Sequence, residues 1–288
     1  SNVVSRFPGK FPVIYISDVT VKLMYNYYEW FSRFAFFSFN ESNAIEKMAL
    51  HRADRVILSS EWAAKSAIND YHTDADKISI VPFGANMKPE EVLPGESVIS
   101  REKGQKCNLL FIGMEWERKG GSIVLEAMEY FRSAGFPCTL TIVGCDPVVA
   151  RDKEDIHIIP YIDKKSDEGK AKWNSLMLSQ HFLMVPTRAE CFGVVYCEAS
   201  AYGIPSLATD TGGIPNSVIN RKNGFRLPLE AHGEEYARLI MDIYEDYEKK
   251  YIPLSKSSRK TFDELLNWDH WAKKTNEVIE ELLKADPD

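Results

Sequence analysis

Residues 186–213 read Pro-Thr-Arg-Ala-Glu-Cys-Phe-Gly-Val-Val-Tyr-Cys-Glu-Ala-Ser-Ala-Tyr-Gly-Ile-Pro-Ser-Leu-Ala-Thr-Asp-Thr-Gly-Gly. An apolar run, Phe182-Leu-Met-Val-Pro186, comes just before and reads as a buried strand. Two carboxylates, Glu190 and Glu198, then flank what reads as a helix start. In an open α/β sheet, ligands bind where strand ends feed helix N-termini, because the free N–H groups there attract anions. Cys191, Phe192, Gly193, Val194 and Val195 would supply those groups, and Gly193 has no side chain to hinder a close approach.

Outward from this stretch, strand and helix signals alternate along the chain, which predicts parallel sheets with crossover helices. Strands are expected at 12–17, 55–60 and 77–82, with helices from 19, over 44–52 and over 61–71. Residues 87–106 hold two prolines and little periodicity, and read as a linker. A second series follows, with strands at 108–113, 139–144, 156–161, 182–186, 206–209 and 224–227. Helices are expected over 121–131, 171–180, 234–247, 263–266 and 270–283. The second series is long enough for a whole doubly wound domain, and the first for about half of one.

Composition narrows the classes of function. The 288 residues are 44% hydrophobic with a net charge of −7, which describes a globular protein and argues against general nucleic-acid binding. No apolar run reaches the length of a membrane span, and the first residues carry no signal-peptide pattern, so the chain reads as cytoplasmic. Five cysteines without a C-x-x-C pair read as reduced thiols, and six scattered histidines predict no metal site. Cys191 has no nearby histidine to make it a nucleophile.

Four motifs in order now point to one family. Phe111-Ile-Gly-Met-Glu-Trp-Glu-Arg-Lys-Gly120 is a strand, a glycine and a Lys-Gly loop. Glu190 to Glu198 is an E-x₇-E motif. Ala201-Tyr-Gly-Ile-Pro205 and Thr211-Gly-Gly-Ile-Pro215 follow, and Val81-Pro-Phe-Gly-Ala-Asn86 precedes. Together these resemble a family 4 retaining glycosyltransferase of the GT-B fold. The resemblance implies two Rossmann-like doubly wound domains facing a cleft, the first incomplete in this chain. It divides the chain into a partial acceptor-side domain over 1–95, a donor domain over 105–255, and C-terminal helices over 256–288. The last of these would cross back to the first domain.

The resemblance also implies the chemistry: a sugar moves from a UDP-, GDP- or ADP-sugar to an acceptor hydroxyl, with retained configuration and no cofactor or metal. Lys119, Arg118 and Glu190 would be the catalytic groups. Gly113, Lys119, Glu190, Cys191, Phe192, Gly193, Val194, Val195 and Glu198 would hold the donor, with Glu198 on the ribose. The family arginine that follows the strand-end glycine is replaced here by Met114, and Arg118 stands in for it. Asp18 has two readings side by side, an acceptor-side carboxylate and a helix N-cap. The run 24–39 contains Tyr25, Tyr27, Tyr28, Trp30, Phe31, Phe34, Phe36, Phe37 and Phe39. It reads either as core and interdomain packing or as an acceptor surface. The acceptor is expected to be a carbohydrate or a lipid-linked one, the latter with peripheral membrane contact. Two other readings are weighed against transfer: a non-catalytic binding module of the same fold, and an epimerase or phosphorylase.

Overall fold

The computed structural model describes residues 2–5, 11–32, 36–99 and 101–285. Phe34 lies outside the described residues, as do the side chains of Phe36 and Phe37. Two sheets carry the chain, and every strand pair in both is parallel. The first has three strands in the order β1 (Ile14–Ser17), β2 (Arg55–Leu58), β3 (Ile78–Ile80). The second has six: β4 (Cys107–Ile112), β5 (Cys138–Val143), β6 (Ile156–Ile159), β7 (Phe182–Val185), β8 (Ser206–Thr209) and β9 (Gly224–Leu227). Their spatial order is β6-β5-β4-β7-β8-β9, the doubly wound 3-2-1-4-5-6 arrangement.

The central strands are mostly apolar because helices cover both faces. Leu109, Leu110 and Phe111 of β4 and all four residues of β7 are buried. At about 1.5–3 kcal/mol for each buried large side chain, β7 alone contributes several kcal/mol toward holding the strand that leads to Glu190. Against the first sheet, Ala49, Leu50, Ala63, Ala64 and Ala67 pack beside Tyr15, Val56 and Leu58. The helix Trp268–Ala285 reaches this sheet from the other end of the chain, where Val278 packs with Ile57 and Val81.

Several local expectations are corrected. The segment 87–106 is not a bare linker: it holds a 3-10 turn, Pro89–Glu91, and a helix, Gly95–Ile99. It is anchored by Arg101, whose guanidinium donates to the carbonyls of Val98, Met177, Leu178, Tyr202 and Gly203. Tertiary hydrogen bonds of this kind leave no periodicity to read. A helix over Ile252–Glu264 stands where only 263–266 was expected, with Pro253 tolerated in its first turn. The first helix of the chain's aromatic run begins at Val21, and its N-cap is Thr20, whose hydroxyl accepts from Leu23 N–H at 3.3 Å. The N-cap reading of Asp18 is therefore wrong.

Candidate active site

The site is built at the C-terminal ends of β4 and β7. These strands are neighbours, and the connections that follow them run to opposite sides of the sheet, which opens a crevice between their loops. The loop after β4 runs from Gly113 to Gly120, and the loop after β7 from Pro186 to Gly193. Backbone bonds join them: Arg188 N–H donates to the Arg118 carbonyl at 2.7 Å, and Thr187 Oγ1 to the same oxygen at 3.0 Å.

This joining brings Lys119 onto Glu190, residues 71 positions apart. The Lys119 ammonium donates to Glu190 Oε2, and both side chains are largely buried. Gly113 makes room for this contact, since a Cβ there would lie 2.8 Å from Lys119 Cγ. Arg118 lies beside the pair, with Nη1 4.0 Å from Glu190 Oε2. Its fork, however, is closed on Glu115 at 2.7 and 3.0 Å, and Nη1 also donates to the Ala189 carbonyl at 2.8 Å. Burial works against the Arg118 cation, but Glu115 and Glu190 outweigh it and hold its pKa above the usual value. Met114, directly after the strand-end Gly113, is 85% exposed.

The helix Val194–Ala201 starts at Gly193 and directs its N-terminus at the same crevice. Among the described residues, the N–H groups of Gly193, Val194 and Val195 donate to no acceptor, so they remain open to an anion or a hydroxyl. The Cys191 N–H differs, because it donates to the Tyr28 hydroxyl at 3.1 Å. Burial pushes the Cys191 thiol up to about 12, which leaves it protonated at neutral pH.

Glu198 lies one helical turn further along and is 7% exposed. Burial raises its pKa, opposed by Lys164, whose ammonium is 3.4 Å from Oε1. Lys164 also sits 4.4 Å from the ring centre of Trp173. Lys164 and Trp173 line a cavity of about 650 Å³ together with Asn174, Tyr202 and Trp268. The structure thus brings Lys119, Arg118 and Glu190 together and gives Glu198 a different cation.

From the first lobe, Asp18 follows β1 and is half-buried. Burial raises its pKa, and the negative charge of Glu190 raises it further, which places Asp18 in the field of the crevice. Tyr27 and Tyr28 come from the same lobe and meet the backbone of Glu190 and Cys191. For these two, the packing reading of the aromatic run is the correct one. Trp30, by contrast, is 55% exposed.

Sequence reasoning missed Lys164 and did not single out the two tyrosines from the rest of the aromatic run. Lys164 follows β6 and could have been found by listing cations just after strand ends. No described helix is long and apolar enough to cross a membrane.

Comparison with known proteins bears on the fold that carries these loops. Residues 106–246 match the family model described as glycosyl transferases group 1. A D-inositol 3-phosphate glycosyltransferase of Gordonia bronchialis is 24% identical over 241 residues, covering 78% of this chain and 52% of that protein. An uncharacterized glycosyltransferase of Methanocaldococcus jannaschii is 24% identical over 249 residues, covering 82% and 68%. The chain spans about half the length of the inositol phosphate glycosyltransferases it matches. Among solved structures, sucrose-phosphate synthase from Thermosynechococcus elongatus superposes with a TM-score of 0.74 at 20% identity, over 98% of this chain and 70% of that one. The Anabaena HepE protein in complex with UDP and glucose superposes with a TM-score of 0.64 at 16% identity, over 93% and 71%. The chain has the GT-B fold, and its residues 106–246 are similar to the group 1 glycosyltransferases.

Proposed function

We propose that this chain moves a sugar from a nucleotide-sugar donor to an acceptor hydroxyl with retention of configuration. The observation that carries the reading is the convergence of Lys119 and Glu190 at the switch point of the second sheet. A cation there meets the diphosphate whose negative charge grows as the glycosidic bond breaks. The open N–H groups of Gly193 to Val195 add positive potential at the same place. Glu190 accepts from the sugar hydroxyls, and Glu198 accepts from the ribose diol. The neighbours crystallised with UDP and with UDP-glucose favour a nucleotide of this kind.

In the reaction the bond from the anomeric carbon to the β-phosphate oxygen breaks, and a bond from the acceptor oxygen to the same carbon forms on the same face. The acceptor proton passes to the leaving phosphate, and the nucleoside diphosphate departs. No cofactor takes part, and a protonated Cys191 is not the nucleophile. Asp18, across the crevice, stands on the acceptor side. The exposed Trp30 gives that side an apolar surface suited to a carbohydrate ring or a lipid-linked acceptor at a membrane face.

A binding module without turnover is the second reading. It is favoured by Met114, which puts no cation after Gly113, and by the closed fork of Arg118. The test is a thermal-shift and turnover panel with UDP-, GDP- and ADP-sugars, with the anomer of the product read by NMR. Stabilisation by one nucleotide with transfer and an unchanged anomer supports the first reading. Stabilisation without transfer supports the second, and no stabilisation at millimolar nucleotide overturns both.

A further inference from the structure

Two consecutive first-lobe tyrosines are bonded to the backbone of the loop that carries Glu190. The Tyr27 hydroxyl accepts from Glu190 N–H at 3.0 Å and lies 3.0 Å from Thr211 Oγ1 and 3.4 Å from the Glu190 carbonyl. The Tyr28 hydroxyl accepts from Cys191 N–H at 3.1 Å and from the Cys191 thiol at 3.3 Å. Its ring lies under the Arg118 guanidinium, 5.3 Å from ring centre to carbon. Gly212 leaves the space: with φ at +54°, a Cβ would come within 2.4 Å of the Tyr27 hydroxyl and 2.1 Å of the Glu190 carbonyl. Two backbone N–H groups at the mouth of an anion site are thus satisfied from the opposite lobe, next to the carboxylate that faces Lys119. A buried N–H without an acceptor is costly, so separation of the lobes leaves the turn free to rotate or to take water.

We propose that Tyr27 and Tyr28 are positioning residues that fix the Glu190 carboxylate only when the first lobe is docked. The inference rests on the proposed transfer reaction for its catalytic consequence, and on the hydrogen bonds alone for its structural one. Docking of the acceptor lobe then completes the donor-sugar subsite, while the nucleoside diphosphate, with Glu198 on its ribose and Lys119 on its phosphates, binds without it. Such coupling suppresses idle hydrolysis of a donor before the acceptor lobe has closed on it.

The test uses Tyr27→Phe, Tyr28→Phe and the double variant, which keep the rings and remove only the hydroxyls. The first measurement is amide hydrogen exchange of the peptide spanning 188–193, with no donor present. The expected result is exchange about tenfold faster in the double variant, at a nearly unchanged melting temperature. The second measurement is steady-state kinetics with the donor found for the wild type. The expected result is kcat down about tenfold or more, with the affinity for the nucleoside diphosphate retained. Thr211→Val, which removes only the side bond of Tyr27, is expected to give a smaller loss. Unchanged exchange overturns the latch whatever the reaction is. Faster exchange with unchanged kcat overturns the positioning role. A wild type that neither binds nor turns over any nucleotide sugar overturns the transfer reading and the positioning role with it, while the exchange result still decides the latch.

Discussion

The Lys164 ammonium stands 3.4 Å from Glu198 Oε1, so the carboxylate assigned to the ribose is held by a cation from the loop after β6. Burial raises the Glu198 pKa and Lys164 pulls it back only in part. A carboxyl with a raised folded pKa favours the fold while protonated, and that contribution is lost as pH rises through the folded value. Glu198→Gln removes the loss, so its melting temperature at pH 7 is expected to equal or exceed that of the wild type. Its affinity for nucleotide is expected to fall about ten- to hundredfold, the worth of hydrogen bonds to a charged acceptor. A nucleotide titration followed by thermal shift reads both effects, and unchanged affinity would remove Glu198 from the site.

Gly113→Ala tests whether Lys119 must pass over the end of β4. The added methyl would lie 2.8 Å from Lys119 Cγ and 3.2 Å from its Cβ. The contact falls on the near end of the side chain, so Lys119 must shift as a whole, at a stability cost of about 1–3 kcal/mol. The ammonium is thereby displaced from Glu190. The expected outcome is a drop in turnover of about tenfold or more in an enzyme that stays folded, with a urea midpoint only modestly lowered. Full activity in this variant would show that the exact path of Lys119 is immaterial.

The second sheet was legible because its strands are short apolar runs separated by turn signals, and because Lys119 and Glu190 both follow such runs. The reading of Asp18 as a cap failed for a local reason: Thr20 stands two residues on and is also a favoured cap, and the helix starts after it. The helix Ile252–Glu264 was hidden by Pro253 and by a run of serines, and its place is set by packing of Leu254 and Phe262. Tyr27 and Tyr28 could not be singled out among nine aromatics in 24–39, because their partners lie 163 positions away. Lys164 escaped because nothing in the local pattern ties the loop after β6 to residue 198, 34 positions further on.

His181 supplies a test of the core beneath the site. Its ring is buried, and burial lowers its pKa to about 4. Its Nδ1 accepts from Asn108 N–H at 2.9 Å, which ties β4 to the start of β7. The folded pKa lies below the ordinary value near 6.5, so the unfolded chain takes up the proton first as pH falls. Stability from this group is complete above about pH 6.5 and is lost as pH falls toward about 4, on the order of 3 kcal/mol in all. His181→Asn keeps an acceptor for Asn108 and removes the titration. Urea unfolding at pH 7, 5.5 and 4.5 should show a wild-type loss that exceeds that of the variant. Parallel losses in the two proteins would mean that other groups govern the acid side.

Lys119→Ala is the most direct trial of the site. Removal of the ammonium leaves the Glu190 carboxylate with Arg118 at 4.0 Å, a guanidinium already committed to Glu115 and Ala189. An unpaired carboxylate in a largely buried place costs about 1–3 kcal/mol. That loss alone would lower activity for a trivial reason. The double variant Lys119→Ala with Glu190→Gln removes the stranded charge, so stability is expected to return toward the wild type. Turnover is not expected to return to that of Glu190→Gln alone, because the leaving diphosphate still lacks its cation; relative to that single variant the deficit in kcat should stay at about a hundred- to a thousandfold. Melting temperature and single-turnover rate, measured on the same samples, separate the two effects. If turnover recovers with stability, Lys119 serves Glu190 and not the donor.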